Sequence, residues 1–184
     1  MKTSLLCHRA APQSTLTRIE VTVAPPRGDC IGLSFRAVGD VDAIRWPGDR
    51  DCGDGPWHRG DRLWESTCFE AFLRRAGGAG YREINLATSG CWAAYAFEGY
   101  REGMAEADDI RMLGGKWRIR DGRAELHVLL GLPPGFRREP LSLGLSAVMK
   151  GVDGGTSYWA LAHPRERPDF HDPACFALEL PAAG

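Results

Sequence analysis

Apolar and polar residues alternate with a period of two along most of this chain, the mark of half-buried strands. From Thr17 to Val23, Ile19, Val21 and Val23 share one side, and Arg18, Glu20 and Thr22 the other. Ile31, Leu33, Phe35 and Ala37 repeat the pattern after Pro25-Pro26-Arg27-Gly28-Asp29, whose composition is that of a turn, so a hairpin is predicted. Cys68 to Leu73 and Tyr81 to Thr88 predict a second antiparallel pair, with Ile84 and Leu86 opposed to Tyr81, Glu83 and Asn85. Ser89-Gly90 turns the chain into Cys91–Phe97, where Cys91, Ala93, Tyr95 and Phe97 face away from Trp92, Ala94 and Ala96. Asp121-Gly122, set between Trp117 and Ile119 on one side and Ala124, Leu126, Val128 and Leu130 on the other, predicts a tight hairpin. Further strands are expected over Leu141 to Met149 and Phe176 to Leu180. Residues 100–107, with Met104, Ala105 and Ala107, are read as one short helix. The expected architecture is all-β, a two-sheet antiparallel β-sandwich of jelly-roll type with roughly nine or ten strands, since no repeat of a solenoid or propeller recurs.

The chain has 184 residues, so one domain over residues 14–184 is expected, preceded by a flexible N-terminus over residues 1–13. Lys plus Arg is 23 against Asp plus Glu 24, a formal charge of -1 that leaves no large basic surface for a phosphate backbone, so nucleic acid is a poor partner. No apolar run approaches the roughly 18 residues that span a bilayer, so no membrane partner is expected. The opening residues hold only Leu5 and Leu6 as an apolar stretch, too short for a secretory core, and a cytoplasmic location is expected. Six scattered cysteines without a Cys-x-x-Cys pair disfavour a zinc knuckle or redox dithiol.

No phosphate loop, dinucleotide fingerprint, nucleophile elbow or His-Glu-x-x-His motif occurs. Six tryptophans in 184 residues, about three per hundred, exceed the usual one or so, and flat indole faces suit the apolar face of a sugar ring. Trp46, Trp57 and Trp64 fall in or beside the irregular stretch 39–62, Trp92 takes the polar side of its strand, and Trp159 precedes a Pro-rich loop. Glu65, Glu70 and Glu83 form a carboxylate group that could serve acid-base work on a glycosidic bond. His58, His163 and His171, with Asp169, could hold a metal in a small metal-dependent enzyme. The Asp-rich loop from Asp49 to Asp54 is a calcium candidate, and Met104, Met112 or Met149 with His163 or His171 would be the axial pair for haem. A purely structural role as a partner-binding sandwich is a further alternative, because exposed Trp also anchors protein interfaces.

Several blocks in order carry a family likeness. Leu63-Trp64-Glu65-Ser66-Thr67-Cys68-Phe69-Glu70-Ala71-Phe72-Leu73, then Tyr81-Arg82-Glu83-Ile84-Asn85 and Ser89-Gly90-Cys91-Trp92-Ala93-Ala94-Tyr95, resemble the DOMON-like superfamily, which includes the carbohydrate-binding modules of family nine. Ser157-Tyr158-Trp159-Ala160-Leu161-Ala162-His163-Pro164 and Pro168-Asp169-Phe170-His171 look like the closing signature of a bacterial branch of the same group. The resemblance implies a jelly-roll-like sandwich that binds sugar or haem without catalysis. It places Trp64 as a stacking ring, Glu70 as the sugar-contacting acid, Asn85 as a polar strand position and Trp159 as the opposing wall. The expected function is therefore a non-catalytic small-molecule site, for a carbohydrate or sugar-containing ligand, drawn from Trp64, Glu70, Glu83, Asn85, Trp92, Trp159, Asp169 and His171.

Overall fold

The computed structural model describes residues 1–10, 14–24, 27–48 and 55–182. Thirteen strands occur among them: β1 (Lys2–Cys7), β2 (Leu16–Val23), β3 (Cys30–Gly39), β4 (His58–Arg59), β5 (Cys68–Arg75), β6 (Tyr81–Leu86), β7 (Cys91–Phe97), β8 (Ala105–Glu106), β9 (Arg111–Arg120), β10 (Arg123–Gly131), β11 (Leu141–Lys150), β12 (Thr156–Ala160) and β13 (Leu178–Leu180). The only helical segments among the described residues are four 3-10 turns of three residues each, so the all-β expectation holds. The predicted helix over residues 100–107 does not form. Arg101 and Gly103 take positive φ, 57° and 65°, which breaks a right-handed helix, and Ala105–Glu106 instead pairs with β7.

The strands run in the order β4-β7-β6-β5-β11-β12-β1-β2-β3-β10-β9, with β8 and β13 attached to β7 and β11. Among the described residues every strand pairing is antiparallel except β4 with β7, and the strands form one continuous curled, mixed sheet. Its two arms are joined through β1, whose Lys2–Leu5 pair with β2 while Leu6 and Cys7 pair with β12. In the part of residues 1–13 that is described, β1 is paired on both sides, the Met1 ammonium donates to the Val23 carbonyl at 2.8 Å, and His8 is buried. Only Leu5 of β1 points into the core, so the strand carries no readable period and owes its order to backbone pairing on both sides.

Inner faces of both arms close over a common core. Phe35 of β3 meets Phe69 of β5 at 4.9 Å between ring centres, and Trp117 of β9 lies 6.5 Å from Phe69. The Asp121-Gly122 hairpin is as predicted: Arg120 pairs with Arg123, and both turn residues take positive φ, 52° and 66°, as a two-residue turn matched to strand twist requires. The proposed calcium loop, Asp49 to Asp54, lies outside the described residues.

Candidate functional site

The arms differ on their outer faces. On β5, β6, β7 and β11 the inward residues (Phe69, Ile84, Ala94, Leu145) join the common core, and the outward residues are buried as well. A second apolar cluster of Phe72, Tyr81, Ala93, Tyr95, Phe97 and Phe176 occupies this outer face, with Leu63, Trp64 and Phe170 packed on it. Register sets polar groups beside it: Ser146 of β11 pairs with Glu70 of β5, and Glu70 with Asn85 of β6. Glu83, two residues before Asn85, projects to the same side. Segments remote in sequence cover these groups and leave a cavity of about 440 Å³. Its walls are aromatic at Trp64, Tyr158 and Phe170, and polar at Glu70, Glu83, Arg101 and His171. Trp64 is carried by the 3-10 turn Leu63–Glu65 and braced edge-on by Tyr95 at 5.5 Å. Tyr158 and Phe170 lie 6.3 Å apart.

Hydrogen bonds hold the acids in place. Ser146 Oγ donates to Glu70 Oε2 at 2.9 Å, and Asn85 Nδ2 donates to Glu83 Oε1 at 2.8 Å. Burial, reinforced by the neighbouring Glu83 charge, raises Glu70 to about 8 against the opposing pull of Ser146 and Arg101. Burial raises Glu83 too, opposed by Asn85 and Arg101. Burial and the proximity of the two acids thus both act against their ionising together. Burial, and then the Arg101 charge, push His171 down to about 4, so its ring is neutral. The Tyr81 hydroxyl accepts from the Arg101 backbone N–H at 3.3 Å and is hydrogen-bonded to His171 Nδ1 at 2.6 Å. The other ring nitrogen, Nε2, lies 3.7 Å from Glu83 Oε2. Arg101 Nη2 donates to Asp169 Oδ1 at 2.9 Å, and Tyr100 donates to the other oxygen. Burial works against these bonds, yet Tyr100 and Arg101 together hold Asp169 below the usual carboxylate range.

The structure brings Trp64, Glu70, Glu83 and His171 into one cavity, with Asn85 and Asp169 bonded to its lining residues. Trp92 and Trp159, expected among the site residues, do not line it. Both sit in the common core, where the Arg59 guanidinium lies 4.1 Å from the Trp92 ring and Trp159 Nε1 donates to Ser157 at 3.0 Å. The alternation puts Trp92 on the polar side of its strand, but on this strand both sides are covered.

The metal set does not assemble: among the described residues no three His, Cys, Asp or Glu side chains converge. His58 is exposed on β4, and His163 Nε2 bonds to the Leu6 carbonyl at 2.8 Å. Of the axial methionines considered for haem, Met149 is buried in the core and Met112 packs against it, so Met104 alone shares the cavity with His171. Sequence reasoning missed Arg101, Tyr81, Ser146, Tyr158 and Phe170. The Tyr81-x-Glu83-x-Asn85 alternation was a usable signal, since it mixes an aromatic ring and an acid on one side of a strand; Arg101, on a left-handed turn, had none.

No protein-family model and no curated protein matches this chain, so the DOMON-like resemblance gains no support of that kind. A solved structure of similar fold is a putative carbohydrate-binding protein from Bacteroides uniformis ATCC 8492, at 14% identity and a TM-score of 0.59, covering 95% of this chain and 83% of that one. At that identity the likeness speaks for the fold alone.

Proposed function

We propose that this protein is a non-catalytic carbohydrate-binding domain, on a jelly-roll-like β-sandwich, that works in the cytoplasm. One observation carries the reading: a cavity of about 440 Å³ walled by Trp64, Tyr158 and Phe170 contains two buried carboxyl groups. Its size falls within the range of small-ligand sites. A sugar ring offers an apolar C–H face to an aromatic ring and hydroxyls to acceptors at its rim, and both kinds of partner are present. The solved carbohydrate-binding protein of similar fold supports the reading weakly.

Calorimetric titration with mono- and disaccharides tests it. Saturable binding is expected, and Trp64→Ala should weaken it by about tenfold, or ~1.4 kcal/mol, with the melting transition retained. Absence of binding to every mono- and disaccharide, or a Trp64→Ala protein that binds as well as the native one, overturns the proposal.

A further inference from the structure

We propose that the cavity selects an amino sugar, a saccharide unit bearing a protonated primary amine, whose ammonium group sits between Glu70 and Glu83. This deepens the carbohydrate reading and rests on it. Glu70 and Glu83 are 3% and 5% exposed, and both line the cavity. Among the described residues their side-chain donors are neutral, the Ser146 hydroxyl and the Asn85 amide. His171, which faces Glu83, is neutral as well. Arg101 is the cation lining the cavity, but its guanidinium is bonded to Asp169, and Arg165 beyond it pairs with Asp169 and Asp172.

Two neighbouring buried acids thus share a site in which, among the described residues, no cation is bonded to either one. Such a pair is costly unless charge is supplied to it. Sugar hydroxyls would satisfy lone pairs but supply no positive charge that lets both acids ionise. An ammonium group supplies three N–H donors and a positive charge at the same point. Trp64 and Tyr158 line the same cavity, and aromatic rings of this kind favour a desolvated cation. A quaternary ammonium lacks N–H donors, so it would leave the carboxyl oxygens unbonded.

The experiment is calorimetry of the full chain at pH 7 with glucosamine, glucose, N-acetylglucosamine and choline. Glucosamine should bind about tenfold more tightly than glucose or N-acetylglucosamine, and Glu83→Gln should narrow that ratio to within about threefold. A thermal melt of Glu83→Gln confirms that the variant is folded. Equal affinity for the three sugars, or an unchanged ratio in Glu83→Gln, overturns the amine assignment and leaves the carbohydrate reading standing. Failure of all three sugars to bind, with or without choline binding, overturns the amine assignment, and the carbohydrate reading falls with it only if no other mono- or disaccharide binds.

Discussion

Two glutamates, each pointing outward from one arm of the same curled sheet, live under opposite conditions. Glu125 of β10 belongs to the arm whose outer face is open to water. There Arg36 Nε and Arg118 Nη2 each reach it at 2.9 Å, and the charge ladder continues from Arg36 to Glu20, which Lys2 and Arg18 also approach. Hydrogen bonding from Arg118 and Arg36 keeps Glu125 below the usual carboxylate range despite partial burial. Glu70 of β5 belongs to the covered arm, where burial lifts it to about 8. Alternation within a strand decides only which way a side chain points. Whether that direction leads to a screened ion ladder or to a dry acid depends on what lies above the sheet. Buried acids without a bonded cation lower stability when they ionise, a cost of the kind that functional sites carry.

The contrast breaks most readily at Phe72, an outward residue of β5 that is 1% exposed and packs against Tyr81, His171 and Phe176. If the outer face of this arm is sealed, Phe72→Ala removes a core-like ring and costs about 3–5 kcal/mol in urea unfolding. A loss under about 1 kcal/mol would mean that the face is a wet rim, and the distinction between the arms would be lost.

Acid and base titration separates the two glutamates by sign. The folded protein holds a proton on Glu70 up to about pH 8, above the ordinary value of 4.5, so the folded state binds more protons across that window. The stability associated with Glu70 is fully present below about pH 4.5 and is lost as pH rises towards 8. His171, pushed down to about 4 from 6.5, acts in the reverse sense between those values, so the clearest window for Glu70 is pH 6.5 to 8. Glu70→Gln should flatten the fall in melting temperature across that window and gain stability relative to the native protein at its upper end. A native profile that rises from pH 6.5 to 8, or a variant with the same slope, would show Glu70 to be ionised and solvated.

Much of the sheet was legible because strand alternation and the Asp121-Gly122 turn are local physics. The acid pair was legible as well, since Glu83 and Asn85 share a side of one strand and Glu70 lies on the preceding one. What the sequence hid was coverage. Trp64, Arg101, Tyr158 and Phe170 come to the same outer face from four separate stretches, and no local pattern announces that convergence. The tryptophans misled for the same reason: Trp46 and Trp117 lie 4.8 Å apart in or against the core, Trp92 and Trp159 are buried there, and Trp64 alone reaches the cavity. β1 was illegible because one buried leucine makes no period.

The smallest expected effect lies on the open arm. Glu125→Gln removes the charge that Arg36 and Arg118 share, but the arginines are about half exposed, at 45% and 46%, and water already screens the attraction. The loss should be under about 1 kcal/mol, and it should shrink in ~1 M salt, where the screening length falls to about 3 Å. Its pH sign is opposite to that of Glu70: the contribution is present above the ordinary carboxylate value and disappears as pH falls through the lowered one. Urea midpoints of the native and Glu125→Gln proteins at low and high salt measure this. A loss that matches Phe72→Ala and ignores salt would place Glu125 in a dry environment, and the two arms would then be alike in the one respect that distinguishes the candidate site.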